Sequence, residues 1–99
     1  MRILYIASEA VPFAKTGGLA DVMGALPKYV RQLGHETAVI IPRYRGIQTK
    51  KILVPSLTVS LGVEHRFCSI QESDPIEGVR YFFVDYGEYY NREDLYLTN

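Results

Sequence analysis

One cysteine, no tryptophan and no surplus of either charge mark this 99-residue chain. The single cysteine, Cys68, excludes an internal disulfide. No His or Cys partner stands at metal-ligand spacing from it, so it reads as a reduced, buried thiol and no metal site is expected. Eleven Lys and Arg balance eleven Asp and Glu, for a formal charge of zero. That excludes the basic excess on which non-specific binding to nucleic acid or an acidic membrane depends. No apolar run nears the roughly 20 residues of a membrane span. The run after Met1-Arg2 covers only Ile3 to Ala7 before Glu9 and Pro12 interrupt it, too short for the core of a secretory signal. Together these absences predict a cytoplasmic protein with neither a membrane nor a nucleic-acid partner.

What is present is the material of a packed domain: 47% of the residues are hydrophobic and 22% charged, so the chain is not a disordered tail. Its length suffices for one small domain with a thin margin of stability. The final stretch, YNREDLYLTN, contains no capping or closing element and is expected to continue into further chain.

Ile3 to Ala7 is a short unbroken apolar run, as in a strand buried on both faces of a parallel sheet. A loop follows from Ser8 to Gly18. Leu19, Val22, Met23, Leu26, Val30 and Leu33 then recur at steps of three and four, one face of an amphipathic helix. Pro27 lies inside it and removes a hydrogen bond, so a kink or break near Met23 to Leu26 is expected. Gly34 suits a left-handed helix cap. Thr37 to Ile41 is a second buried-strand run, closed by Pro42. Strand, loop, helix, short turn and strand make a βαβ unit. Ile52 to Val63 and Glu64 to Gln71 read as a β-hairpin turning at Gly62, and Val79 to Asp85 as a further strand. Glu72, Ser73-Asp74-Pro75 and Gly78 read as turn chemistry. Glu88 to Tyr96 is weakly helical or irregular.

The stretch KTGGLADV, Lys15 to Val22, carries the chemistry. Glycines ahead of a helix let backbone amides approach one oxyanion closely. The helix N-terminus adds unpaired N–H donors and the positive end of its dipole. Lys15 adds a mobile charge and Thr16 a hydroxyl. The loop follows the first strand of a βαβ unit, where open α/β sheets hold their ligands. It is neither G-x-G-x-x-G nor a P-loop, in which the lysine follows the last glycine. The alternative is a plain loop-to-helix turn with a surface lysine. Asp21, in the first helical turn, could orient a substrate hydroxyl or simply favour the helix electrostatically. Arg43, Arg45, Lys50 and Lys51 make a basic segment that could attract phosphate or stand as a solvated loop. Tyr89, Tyr90 and Tyr96 could stack on sugar faces or serve as packing.

Ser8 to Tyr44, SEAVPFAKTGGLADVMGALPKYVRQLGHETAVIIPRY, resembles the N-terminus of bacterial-type glycogen and starch synthases, with a fainter echo in FFVDYGEYYNREDLY, Phe82 to Tyr96. Tyr86-Gly87 departs from that family's pattern, which has a proline-containing pair there. The resemblance implies an α/β, Rossmann-like parallel-sheet N-terminal part of a GT-B glycosyltransferase, here with an additional β-hairpin. Residues 1–99 would be an incomplete first domain, with the second domain absent from this chain. It implies transfer of glucose from ADP-glucose to the non-reducing end of an α-1,4-glucan, with retention and without a metal or other cofactor. Donor contacts carry over to Lys15 and Gly18, with Gly17 shaping the turn and Thr16 and Asp21 beside them. The catalytic groups are expected beyond Asn99, so this piece alone is expected to be inactive. A different class remains open: a non-catalytic nucleotide- or glucan-binding module, should the chain end at Asn99.

Overall fold

The structure is a computed structural model. It describes residues 1–86, with side chains 59, 61 and 64–66 left out of the description. Five strands and one helix follow in the order β1 (Arg2–Ile6), α1 (Gly18–Gln32), β2 (Glu36–Pro42), β3 (Lys51–Leu61), β4 (Glu64–Glu72) and β5 (Arg80–Asp85). The strands form one sheet in the order β1-β2-β5-β4-β3. β1, β2 and β5 run parallel, whereas β4 pairs antiparallel with both β5 and β3. The expected βαβ unit and hairpin are both present. Gly62, at φ +66°, sits in the two-residue turn between β3 and β4, where a side chain would be strained. The last strand inserts between the unit and the hairpin. The carboxyl ends of β1, β2 and β5 therefore share one edge.

The core lies on one face of the sheet. Val39 and Ile41 of β2 stand in register with Tyr81 and Phe83 of β5, and all four are buried. Phe13, from the loop after β1, packs on both aromatic rings, with centroids 5.0 Å from Tyr81 and 4.9 Å from Phe83. Ala10 and Ala14 are buried beside it, and the Phe13 and Ala14 amides both donate to the Ala10 carbonyl. The long loop is thus a compact turn anchored in the core. α1 is stitched to it: the Val11 amide donates to the Ala20 carbonyl at 3.0 Å. At Gly24 an added Cβ would lie 3.1 Å from the Val11 Cβ and 3.2 Å from its carbonyl oxygen, so the helix owes its close approach to the missing side chain.

Four expectations are corrected. Of the kink or break expected near Met23 to Leu26, the break is absent: α1 runs as one helix of 15 residues, and the buried Pro27 offers its carbonyl to the Thr37 hydroxyl at 2.9 Å. Its covered side is Ala20, Met23, Pro27 and Val30, while Leu19, Val22, Leu26 and Leu33 stand exposed. The apolar stripe is wider than the single sheet face that α1 meets. β1 is likewise covered on one face only: Ile3 and Tyr5 are half-buried, but Leu4 is 54% and Ile6 81% exposed. Among the described residues, the core with the loop's Ala10 and Ala14 lies against one side of that strand, where Tyr5 packs. Finally, Glu72 is not a turn residue. It ends β4, is buried, and takes Arg80 through two hydrogen bonds of 2.8 and 3.1 Å. The Gly34 cap is present, at φ +102°, with its amide donating to the Arg31 carbonyl. Cys68 is free and buried.

Candidate functional site

The site begins where β1 ends. The compact turn from Ala10 to Ala14 delivers Lys15, Thr16, Gly17 and Gly18 to the start of α1, at the shared carboxyl edge. Gly17 is the helix N-cap, with φ −164° and no side chain to serve the first helical amides. The cap comes instead from Glu9, eleven residues before the amide it serves. Glu9 as a residue is 3% exposed. One oxygen accepts from the Ala20 amide at 3.2 Å; the other accepts from both the Thr16 amide and the Thr16 hydroxyl at 2.7 Å each. A buried carboxylate is tolerable when several donors and a helix dipole serve it. Glu9 meets both conditions. The Gly17, Gly18 and Leu19 amides have no hydrogen-bond partner among the described residues.

Neither glycine is required by the fold around it. Gly17 is in extended backbone and Gly18 is helical, conformations open to any residue. A Cβ on Gly17 would reach nothing closer than the Glu9 Oε1 at 3.9 Å, and a Cβ on Gly18 would reach nothing within 4 Å. Two adjacent glycines that neither the backbone nor the packing needs leave bare backbone on an exposed surface. This is what close approach of an anionic ligand to amides requires.

Lys15 and Asp21 frame that surface. The Lys15 ammonium lies 2.9 Å from each Asp21 carboxylate oxygen, and both side chains are more than half exposed. Asp21 thus sits in the first turn of α1, where a negative charge is favoured, and also holds the lysine at that turn. Thr16 is brought to the same place, but its hydroxyl is given to Glu9. The five expected site residues are therefore gathered around one helix N-terminus. Glu9 is the residue that sequence reasoning passed over. The signal was there: a glycine at the N-cap leaves early amides unserved, and Glu9 is the nearest preceding acid.

The basic segment after β2 resolves into separate pairs. Arg43 meets Asp85 at 3.1 Å, Lys51 meets Glu72 at 3.5 Å and Lys50 meets Asp74 at 3.9 Å. Asp85 also accepts from Gln71 at 3.0 Å, and the Tyr44 hydroxyl donates to the Ser8 carbonyl at 2.9 Å. The Arg43–Asp85 and Tyr44–Ser8 contacts tie together loops at the carboxyl edge, whereas Lys50 and Lys51 meet Asp74 and Glu72 toward the amino end of β5. Among the described residues, no group of three His, Cys, Asp or Glu gathers that could hold a metal ion. No described helix is long and apolar enough to cross a membrane. Tyr89, Tyr90 and Tyr96, and the segment Glu88 to Tyr96, lie outside the described residues.

A parallel β1-β2-β5 core with a glycine loop and a helix N-terminus at its carboxyl edge defines an α/β domain of the kind that holds ligands along that edge. The comparisons make this specific. The family model for the starch synthase catalytic domain matches residues 2–99, and the chain belongs to that family. It is 48% identical over 100 residues to a glycogen synthase of Koribacter versatilis, covering 99% of this chain and 21% of that protein. It is 43% identical over 100 residues to the glycogen synthase of Bacillus subtilis, covering 97% and 20%. The fold is similar to the catalytic domain of starch synthase IV from Arabidopsis thaliana, solved with ADP and acarbose. The TM-score is 0.83 at 25% identity, covering 97% of this chain and 21% of that one. The chain spans about a fifth of the length of these relatives.

Proposed function

We propose that this chain supplies the donor-phosphate wall of a glycogen synthase, a retaining GT-B glycosyltransferase of the cytoplasm. It moves glucose from ADP-glucose to the non-reducing end of an α-1,4-glucan. The observation that carries the reading is the Gly17-Gly18 pair, bare backbone the fold does not need, beside Lys15 and three unpartnered amides. Family membership and the ADP held by the similar plant enzyme support it.

Breaking the glucosyl–phosphate bond leaves charge on the departing diphosphate. Groups aimed at that charge lower the barrier. Lys15 gives up Asp21 for the phosphate, an exchange of one exposed ion pair for another. Gly17 and Gly18 present their amides, and Thr16 fixes the loop through Glu9. Asp21, released, is free to accept from a donor hydroxyl. Residues 1–99 belong to the first of two domains. The groups nearest the reacting sugar come from beyond Asn99, so the 99-residue piece alone does not turn over. The test is a glucosyl-transfer assay on the complete natural polypeptide, with glycogen as acceptor and ADP-glucose as donor. Glucan extension with ADP release supports the reading. Absence of transfer in a folded preparation contradicts it.

A further inference from the structure

We infer that Glu9 is a positioning residue for donor binding: its buried carboxylate occupies the Thr16 and Ala20 amides, so that the donor phosphate is met by Gly17, Gly18 and Leu19. The inference rests on the donor-phosphate reading of the loop and adds to it a residue that touches no substrate.

A loop followed by a helix N-terminus offers more amides than one phosphate can take. Without a partner for the flanking ones, the anion has several competing seats. Glu9 removes two of them. Its two oxygens are divided between the ends of the glycine pair: Oε2 takes the Thr16 amide and hydroxyl, and Oε1 takes the Ala20 amide. The intervening amides remain unpartnered among the described residues. Glu9 is held in turn by its place three residues after the end of β1 and beside the fully buried Ala10, so the clamp is tied to the core rather than to the surface. A carboxylate is needed here. It accepts at both oxygens, whereas a glutamine would turn an NH2 toward one of the two amides and leave that donor unserved.

Two physical effects of Glu9 have opposite signs. A buried negative charge repels a nearby phosphate; a clamp that orders the loop favours it. Two of the hydrogen bonds are short and the carboxylate is served by at least three donors, which spreads its charge into the loop, so ordering dominates.

The test is steady-state kinetics of the complete polypeptide with ADP-glucose and glycogen, alongside unfolding midpoints. Glu9→Gln is expected to raise the donor KM about tenfold while the glycogen KM stays unchanged. Thr37→Val, which removes the remote bond to the Pro27 carbonyl, serves as a destabilised control and leaves the donor KM unchanged. Thr16→Val, which deletes only the hydroxyl bond to Glu9, raises the donor KM about threefold. Should Glu9→Gln fail to fold, this variant carries the test alone. In the double variant the effects are not additive. Tighter donor binding in Glu9→Gln shows that repulsion wins and overturns the inference. Equal losses toward donor and glycogen, or the same loss in Thr37→Val, reduce Glu9 to a structural part and also overturn it. An unchanged donor KM in Glu9→Gln with a raised one in Lys15→Ala removes Glu9 and leaves the loop reading standing. Unchanged values in both remove the loop reading itself.

Discussion

Lys15 holds its ammonium 2.9 Å from both carboxylate oxygens of Asp21, with the glycine pair that opens α1 between them in sequence. The pair is exposed on both sides, so water and salt screen it and it contributes little to stability. Its value is in placement. The ammonium is held at the first turn of α1, next in sequence to the bare backbone of Gly17 and Gly18.

The first prediction follows from that division. Lys15→Ala leaves the unfolding midpoint nearly unchanged, because a surface pair of this kind is worth about 0–1 kcal/mol. The same variant raises the donor KM about tenfold or more, by the loss of a charge-assisted contact to phosphate. Thermal unfolding and donor-dependent kinetics on the same preparation separate the two effects.

Tyr81 gives a prediction about the core. Its ring is fully buried against Phe13, yet its hydroxyl takes no hydrogen bond among the described residues. Burial pushes the phenol above its ordinary titration range, with Lys28 nearby acting in the opposite sense. A buried polar atom without a partner is a net cost. Tyr81→Phe keeps the ring and removes that cost, so it is expected to be neutral or to stabilise by about 1 kcal/mol in denaturant unfolding.

Acid sensitivity should trace to Glu72. The two hydrogen bonds from Arg80 hold its carboxyl below the ordinary carboxylate range, against burial, which pushes it up. An unfolded glutamate titrates near about pH 4.3. Above that pH both states are ionised and the native state keeps the full benefit of the pair. As pH falls through the lower native value, the native carboxylate is protonated and the benefit is lost. The unfolding midpoint of the wild type therefore drops more steeply on the acid side than that of Glu72→Gln, while near neutrality the wild type is the more stable of the two. Parallel midpoint-against-pH curves for the two proteins would remove Glu72 from the explanation.

Local pattern made part of this structure legible. The steps of three and four after Gly18 gave α1, and the runs at Ile3 and Thr37 gave β1 and β2. Gly34 and Gly62 marked turns because only their backbone freedom fits there. Burial was less legible, since it depends on what covers a face: Leu19 and Leu26 belong to the helical stripe yet stand exposed, and Ile6 lies in an apolar run but faces outward. The sheet order was hidden because β5 pairs with β2 across the whole hairpin, a contact that no local pattern announces. Glu72 was misread for the same reason, its partner being a strand away. At the candidate site, the resemblance of KTGGLADV pointed to the glycines, lysine and aspartate, which lie together around the start of α1. Glu9 did not, because its bonds to Thr16 and Ala20 span seven and eleven residues and exist only once the loop has folded onto α1.

Gly18→Ala tests the role of the loop most directly. The backbone there accepts any residue and the new methyl meets no protein atom within 4 Å, so the variant should fold and unfold like the wild type. The methyl would stand instead where a phosphate must come close to the amides. Calorimetric titration of ADP into the complete polypeptide is therefore expected to show an affinity lower by about tenfold or more in Gly18→Ala than in wild type, at unchanged thermal stability. Equal ADP affinity in the two proteins would show that the nucleotide does not approach this backbone, and would contradict the assignment of the Lys15 to Gly18 loop as the donor-phosphate site.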